Sequence, residues 1–142
     1  MFFFFFLGDK TAFLWDVTTS NIIRKFEGHI SKINSVCYNE DESVLVTGSY
    51  DSTVRIWDLK SHSFRSIDVI KSCKDSVSSI VVNKWEIIVG SIDGKVRTFD
   101  IRMGIITTDD MKHPVHSLSL SFDKKTYAAS CLDSIIRLVD KE

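Results

Sequence analysis

A repeated pair of aspartates constrains the fold of this chain more than any other feature of its sequence. Four segments align without gaps, and each has one Asp at its second position and another seven residues later. Successive units are 42, 42 and 40 residues apart. A fixed period of this length predicts an array of similar structural modules. The segments are GDKTAFLWDV from Gly8, YDSTVRIWDL from Tyr50, IDGKVRTFDI from Ile92 and LDSIIRLVDK from Leu132.

Each unit has the pattern of a β-hairpin. Its first Asp is followed by Ser, Gly or Lys, which favours a tight turn, and then by a run rich in Val, Ile, Thr and aromatic residues. Apolar runs before three of the turns predict the partner strands, at 44–47, 86–89 and 126–129. Two further strands per unit are predicted at 33–38, 77–82 and 115–122, and at 21–26, 63–70 and 105–108. Since no segment shows convincing helical spacing, we predict an all-β protein without substantial helix.

Four short strands per period, closing on Trp-Asp, resemble the WD-repeat β-propeller family. The resemblance is strongest in the second unit, and it weakens in the later ones. The matching residues of the second unit are Gly28-His29, Thr47-Gly48-Ser49, Asp51 and Trp57-Asp58. In the later units Ser72-Cys73 and Asp110-Met111 replace Gly-His, while Phe99 and Val139 replace the Trp.

The resemblance implies an incomplete WD-repeat propeller of about three and a half four-stranded antiparallel blades, where a complete ring has about 4–8. We expect a partial blade at 1–26, full blades at 27–70 and 71–109, and a partial blade at 110–142. Such an arc leaves blade faces uncovered. We therefore expect either a piece or divergent product of a longer family member, or a half-ring that a second copy or a partner chain completes.

The resemblance also implies a structural hydrogen-bonded tetrad made of His29, Thr47, Asp51 and Trp57. The residue types would suit a hydrolase triad as well. However, the repeat period already explains their spacing, and the sequence contains no Gly-x-Ser-x-Gly. We therefore predict that the protein is not an enzyme. The other turn and strand-end aspartates of the repeat are Asp9, Asp16, Asp58, Asp93, Asp100, Asp133 and Asp140.

Residues just before each turn Asp, and just before each first strand, should converge on one rim of a propeller. Aromatic, aliphatic and cationic side chains together suit a peptide-binding surface. The alternative is that these lysines are solvated loop residues and that the aliphatic residues fill local packing. The candidate partner-binding rim consists of Lys32, Tyr50, Lys74, Ile92, Lys112 and Leu132.

Arginines and histidines offer two weaker candidate sites. Arg55, Arg97 and Arg137 recur four residues after the turn Asp, which favours a structural ladder whose heads pair with Asp or carbonyl groups. Capture of a phosphopeptide or RNA is the rival interpretation. His113 and His116 lie close together without a third ligand nearby in the sequence, so we predict no metal site and no cofactor.

Charge and cysteine content limit the function further. The formal net charge is −1, so we expect no direct nucleic-acid partner. Three widely spaced cysteines suit reduced thiols in the cytoplasm or nucleus. The apolar start, including the Phe run at 2–6, is too short to span a bilayer and lacks a basic n-region, so we predict neither a signal peptide nor membrane association.

Several runs resemble the mitogen-activated protein kinase organizer subfamily of WD-repeat proteins. The most particular is Phe-Asp-Ile-Arg-Met-Gly at 99–104. This resemblance implies a noncatalytic scaffold for kinase-cascade proteins, with a spliceosome component as an alternative. A third hypothesis is a substrate receptor of a cullin-type ubiquitin ligase, since Trp57-Asp58-Leu59-Lys60 and Phe99-Asp100-Ile101-Arg102 each depart by one residue from Trp-Asp-x-Arg.

Overall fold

The computed structural model describes residues 2–6 and 9–141, and the regular structure of these residues consists of β-strands alone. Fourteen strands form four antiparallel sheets. The first sheet has three strands in the order β1-β2-β3, and the second has four in the order β4-β5-β6-β7. These strands are β1 (Phe2–Phe6), β2 (Thr11–Asp16), β3 (Asn21–Glu27), β4 (Ile33–Tyr38), β5 (Val44–Ser49), β6 (Val54–Asp58) and β7 (Asp68–Ile70).

The third sheet repeats the order of the second, and the fourth sheet has three strands in chain order. The third sheet contains β8 (Val77–Val82), β9 (Glu86–Ser91), β10 (Lys95–Asp100) and β11 (Ile106–Asp110). The fourth contains β12 (Val115–Leu120), β13 (Thr126–Cys131) and β14 (Ile136–Asp140). The predicted fold class is therefore confirmed: the sheets are consistent with an incomplete β-propeller.

A three-residue loop closes the hairpin at the repeated Asp. In the second sheet, Ser52 N–H donates to the Ser49 carbonyl, and Ser49 N–H donates to the Thr53 carbonyl. Ser52 has φ 65°, a left-handed conformation. This is a type I turn followed by a left-handed residue, a common way to close a hairpin. The corresponding residues of the next two sheets are Gly94, φ 82°, and Ser134, φ 66°.

Neighbouring sheets pack through their first strands, β4 against β8 and β8 against β12. The Ser35 hydroxyl accepts a hydrogen bond from Ile80 N–H at 3.0 Å, and the Ser79 hydroxyl accepts one from Leu118 N–H at 3.1 Å. Three apolar clusters fill the spaces between successive sheets. The third sheet contributes to two of these clusters, because Ile87 and Ile88 point to opposite faces of β9.

Two strands are shorter than predicted. The fourth strand of the second unit, expected at 63–70, is only β7, because the preceding residues form a loop. Arg24 holds this loop from the first sheet by donating to the carbonyls of Asp58, Ser61 and Ser63. The strand expected at 115–122 ends at Leu120, since the Ser121 carbonyl and hydroxyl close a turn.

The sequence predictions that remain concern the Phe run, the blade boundaries and membrane association. The Phe run at 2–6 forms β1, which pairs with β2 from Phe2 opposite Asp16 to Phe6 opposite Ala12. The blade boundaries stay a prediction. Within residues 2–6 and 9–141, no helix is long and apolar enough to cross a membrane.

Candidate functional site

The structure places the four tetrad side chains in one hydrogen-bonded chain within the second sheet. His29 precedes β4, Thr47 lies on β5, Asp51 lies in the turn, and Trp57 lies on β6. The His29 ring joins Asp51 Oδ2 through Nδ1 at 2.9 Å and Thr47 Oγ1 through Nε2 at 2.8 Å. Trp57 Nε1 lies 3.0 Å from the same Thr47 oxygen. The imidazole is fully buried.

The donors of this chain suit a neutral His29 side chain. Indole N–H can only donate, so Thr47 Oγ1 accepts from Trp57 and has its own proton to give to His29 Nε2. His29 Nδ1 then carries the proton that it donates to the Asp51 carboxylate. A neutral imidazole with its proton on Nδ1 satisfies every member. Burial also lowers the pKa of His29, against the raising effect of Asp51.

Asp51 joins the tetrad to the hairpin turn. Burial alone would raise the pKa of its carboxyl, but hydrogen bonds from Thr53 and His29, and from Ile30 N–H, outweigh it and lower the pKa. The carboxylate therefore fixes the loop before β4 and the turn after β5 at the same time. The Thr47 hydroxyl is buried and engaged at both ends, and the Thr53 hydroxyl near His29 Nδ1 donates to Asp51, so both hydroxyls have structural partners.

In the third sheet, an arginine takes over the role that histidine has in the second. Strand register aligns Val89 and Phe99 with Thr47 and Trp57. Cys73 takes the place of His29, since the N–H that follows each of them donates to the turn Asp, so only the carboxylate of Asp93 remains of the tetrad. Arg97 donates to both oxygens of Asp93, at 3.2 and 2.8 Å. The two side chains are 6% and 8% exposed. Sequence analysis expected paired arginine heads but did not identify this replacement.

The arginine pairing differs among the three sheets. Arg137 donates to both oxygens of Asp133 in the fourth sheet, at 3.1 and 2.6 Å, and this pair lowers the pKa of Asp133 to about 2. In the second sheet Asp51 is already bound to His29, so Arg55 donates to the Ser66 hydroxyl instead. Because Arg97 and Arg137 are bound to carboxylates, these two heads are not free to capture phosphate.

Most of the other repeat aspartates are turn-forming residues. Asp16, Asp58 and Asp100 each end a strand and accept the backbone N–H two residues further on, which starts the following turn. Asp9 accepts Lys10 N–H, and its carbonyl accepts Ile33 N–H from the second sheet. Asp140 is the last residue of β14. Among residues 2–6 and 9–141, no group of three or more His, Cys, Asp or Glu side chains could hold a metal ion.

Three of the six candidate rim residues line one groove of about 530 Å³. Tyr50 and Ile92 occupy the same position of successive turns, and the Lys32 ammonium lies 5.6 Å from the centre of the Tyr50 ring. The remaining lining residues were not predicted from the sequence; they lie on or next to the first strands of three sheets. These are Asn34, Asp75, Ser76, Ser78 and His116.

The other three rim candidates lie outside this groove. Lys74 and Lys112 sit two positions earlier in their loops than Lys32, because Ser76 and Pro114 make the backbone contact that Lys32 makes. Leu132 is exposed on the turn of the fourth sheet. His113 Nε2 lies 3.7 Å from Asp133, so the two histidines do not share one site.

Antiparallel sheets packed side by side, with a His-Thr-Asp-Trp tetrad in one of them, define the class of WD-repeat β-propeller proteins. The family model "WD domain, G-beta repeat" matches residues 20–58, which contain the whole tetrad. The chain therefore carries a WD40 repeat.

Comparison with known proteins supports the WD-repeat family. The chain is 32% identical to the WD repeat domain-containing protein 83 homolog of Dictyostelium discoideum, over 94% of this chain and 50% of that protein. It is 30% identical to WD repeat-containing protein 37 of Xenopus laevis, over 93% and 27%. It is 43% identical to WD repeat domain-containing protein 83 of Rattus norvegicus, over 54% and 24%. The chain thus spans about half the length of the first relative and about a quarter of the others.

Proposed function

We propose that this protein is a noncatalytic scaffold that binds other proteins through the groove at Lys32, Tyr50 and Ile92. WD-repeat proteins typically act as protein-interaction scaffolds. The observation that supports the proposal most directly is the composition of the groove: an exposed aromatic ring beside a lysine, with polar first-strand residues around them. Aromatic anchors surrounded by charged and polar groups are typical of binding hot spots.

The proposal separates side chains that fold the sheets from side chains that contact partners. The tetrad and the Arg97–Asp93 pair are buried and satisfied, so their contribution is structural. Tyr50 has 60% of its surface exposed. The ring contact with Lys32 and the backbone bond from Tyr50 N–H to the Lys32 carbonyl hold this pair in place without burying it.

The partner class that we propose is a set of mitogen-activated protein kinase cascade components, bound in the cytoplasm or nucleus. The sequence resemblance of residues 99–104 to the mitogen-activated protein kinase organizer subfamily supports this proposal. Splicing proteins and a cullin-type ligase adaptor are the competing partner sets. A second copy or another chain that completes the ring belongs to the same proposal.

Affinity purification from cells tests the partner class, and one double variant tests the groove. Tyr50→Ala with Lys32→Glu should remove the aromatic anchor and reverse the adjacent charge, so partner recovery should fall about tenfold or more. Phe122→Ala is the matched control, because Phe122 is an exposed aromatic residue at the opposite end of the sheets. Equal recovery with both variants would contradict the groove, and recovery of splicing or ligase proteins without kinases would contradict the kinase assignment.

A further inference from the structure

Trp85 forms an exposed aromatic site at the end of the third sheet that lies opposite the groove. It lies in the turn between β8 and β9, whereas Ile92 lies in the next turn, between β9 and β10. Successive turns of an antiparallel meander are at opposite ends of the sheet. Trp85 is 42% exposed, although tryptophan is usually largely buried. The third sheet packs against a neighbouring sheet on each side, so Trp85 is exposed even though both faces of its sheet are covered.

Two cations hold the Trp85 ring. The Lys84 ammonium lies 5.2 Å from the ring centre, and the Arg102 guanidinium carbon lies 4.7 Å from it. Both distances are within the range of a cation–π contact. Lys84 comes from the same turn, and Arg102 comes from the loop between β10 and β11. The ring thus joins two loops, and each loop contributes one cation to it.

The loop that carries Arg102 has a fixed backbone. Ile101 N–H donates to the Trp85 carbonyl at 2.9 Å, and Gly104 N–H donates to the Asp100 carbonyl at 2.9 Å. The Asp100 carboxylate accepts Arg102 N–H and Met103 N–H. This geometry leaves the Ile101 and Met103 side chains exposed, the latter by 67%. Exposed apolar side chains therefore flank Arg102 in a loop whose backbone is already held in place.

The two cations at Trp85 favour an anionic partner. The four acids of the adjacent cavity already have partners, so they do not compete for Lys84. Glu86 pairs with Lys141, Asp109 accepts from the Tyr127 hydroxyl, Asp100 is held by the two backbone N–H groups and pairs with Arg102 at 3.8 Å, and Asp140 also has a partner. In the part of the chain that the structure describes, no carboxylate pairs with Lys84. Lys84 is therefore available to an incoming acid. Arg102 is 56% exposed and only loosely paired with Asp100, so it can bind an incoming acid in exchange.

We propose that Trp85, Lys84, Arg102, Ile101 and Met103 form a second docking surface, which binds a short acidic peptide segment of a partner protein. An aliphatic side chain of the segment packs against Trp85 and Met103, and its flanking carboxylates pair with Lys84 and Arg102. We call these five residues the Trp85 surface. Single-stranded RNA is the less favoured occupant, because it usually requires successive aromatic platforms along a basic groove. Here there is one indole, and the exposed side chains on the adjoining loop are aliphatic and thioether groups.

A fluorescence-anisotropy titration with the full chain tests this proposal. The probe is a labelled peptide of alternating Asp, Leu and Glu, compared with a peptide in which Lys replaces every acid and with oligouridine RNA. The acidic peptide should bind saturably, and more tightly than the other two probes. Trp85→Ala should weaken its binding at least about tenfold. The double variant Lys84→Glu with Arg102→Glu should abolish it, and raised salt should weaken it.

Phe64→Ala is the matched control, since it removes an exposed aromatic ring that belongs neither to the groove nor to the Trp85 surface. This variant should bind the acidic peptide like the wild type. Thermal unfolding of every variant checks that the fold is intact. If Trp85→Ala does not fold, Lys84→Glu alone, a substitution at an exposed residue, should still weaken binding of the acidic peptide. Absence of saturable binding, undiminished binding by the charge-reversal variants, or preference for RNA would overturn the proposal.

Discussion

At the scale of single residues, the main result is that one carboxylate position recruits different partners in different sheets. Asp51 binds a histidine, whereas Asp93 and Asp133 bind an arginine four residues further along the chain. The arginine reaches the carboxylate because a strand residue four positions after the turn Asp places its side chain beside that turn. Loss of His29, Thr47 and Trp57 equivalents in the third sheet therefore does not leave a buried carboxylate unpaired.

The neutral state of His29 predicts a specific pH dependence of stability. Burial lowers its pKa from 6.5, so the unfolded chain binds the proton more readily. The free energy of unfolding should therefore decrease as the pH falls below about 6.5, toward the folded-state pKa. Loss of the Asp51 contribution should follow as the pH falls from 3.8 through its own lowered pKa. Urea denaturation across pH measures both steps.

The variant His29→Gln separates these two steps. It should remove the decrease that begins near pH 6.5 and leave the acidic step, while also lowering stability at neutral pH by about 1–3 kcal/mol through unsatisfied hydrogen bonds. His62→Gln is the matched control because His62 is exposed. If His29→Gln keeps the full pH profile of the wild type, the neutral buried imidazole is wrong.

The arginine pairs predict unequal effects of the same substitution. Arg97→Ala should destabilise by about 1–3 kcal/mol, because it leaves the nearly buried Asp93 carboxylate without its charge-assisted partner. Arg137→Ala should have a clearly smaller effect, since Arg137 is 27% exposed and water can replace the pair. Equilibrium unfolding of both variants in urea measures the difference. Equal losses would show that burial does not decide the strength of these pairs.

At the scale of strands and sheets, the closest packing occurs where a glycine of one sheet faces the first strand of the next. A Cβ at Gly48 would lie 2.4 Å from Val77 Cγ1 and 2.7 Å from Ile80 Cδ1, far inside van der Waals contact. Gly90 has the same role toward Val115 and Leu118. In the fourth sheet, Ser130 occupies the corresponding position of β13.

Gly48→Ala should therefore push the second and third sheets apart. Overpacking of this kind costs about 1–3 kcal/mol, so the urea midpoint should fall. Gly104→Asn is the control, because Gly104 has φ 65° with open space around a Cβ, and Asn tolerates that conformation. An Ala at position 48 without effect on stability would mean that the sheets are less tightly packed than the contacts indicate.

The repeat predicted the strands well because turn chemistry and alternation are local properties. Each of the turns at Asp51, Asp93 and Asp133 depends on only three consecutive residues of the sequence. The loop before β7 could not be predicted, because Arg24 of another sheet shapes it. The position of Lys32 relative to Lys74 was missed for a similar reason: loop register depends on backbone bonds to the neighbouring turn. The sequence around Trp85 did not indicate a site, because the ring contact depends on Arg102, which comes from a different loop.

At the scale of the whole molecule, stability is divided among interfaces between successive sheets. One apolar cluster joins the second and third sheets and includes Ile87, and another joins the third and fourth and includes Ile88. Each sheet touches only its neighbours through such clusters, as in other repeat proteins, where stability approximates a sum of module and interface contributions. Adjacent residues of β9 thus report on two different interfaces.

This division predicts where two neighbouring substitutions act. Ile87→Ala and Ile88→Ala each remove a fully buried side chain, at a cost of about 2–5 kcal/mol. Ile87→Ala should speed amide hydrogen exchange mainly in β5 of the second sheet, because its cavity opens the interface with that sheet. Ile88→Ala should speed exchange mainly in β12 and β13 of the fourth sheet. Mass spectrometry of exchanged peptides measures both patterns. Identical exchange patterns for the two variants would show that the sheets unfold as one unit. A single cooperative transition would expose all strands together, whichever face of β9 carries the substitution.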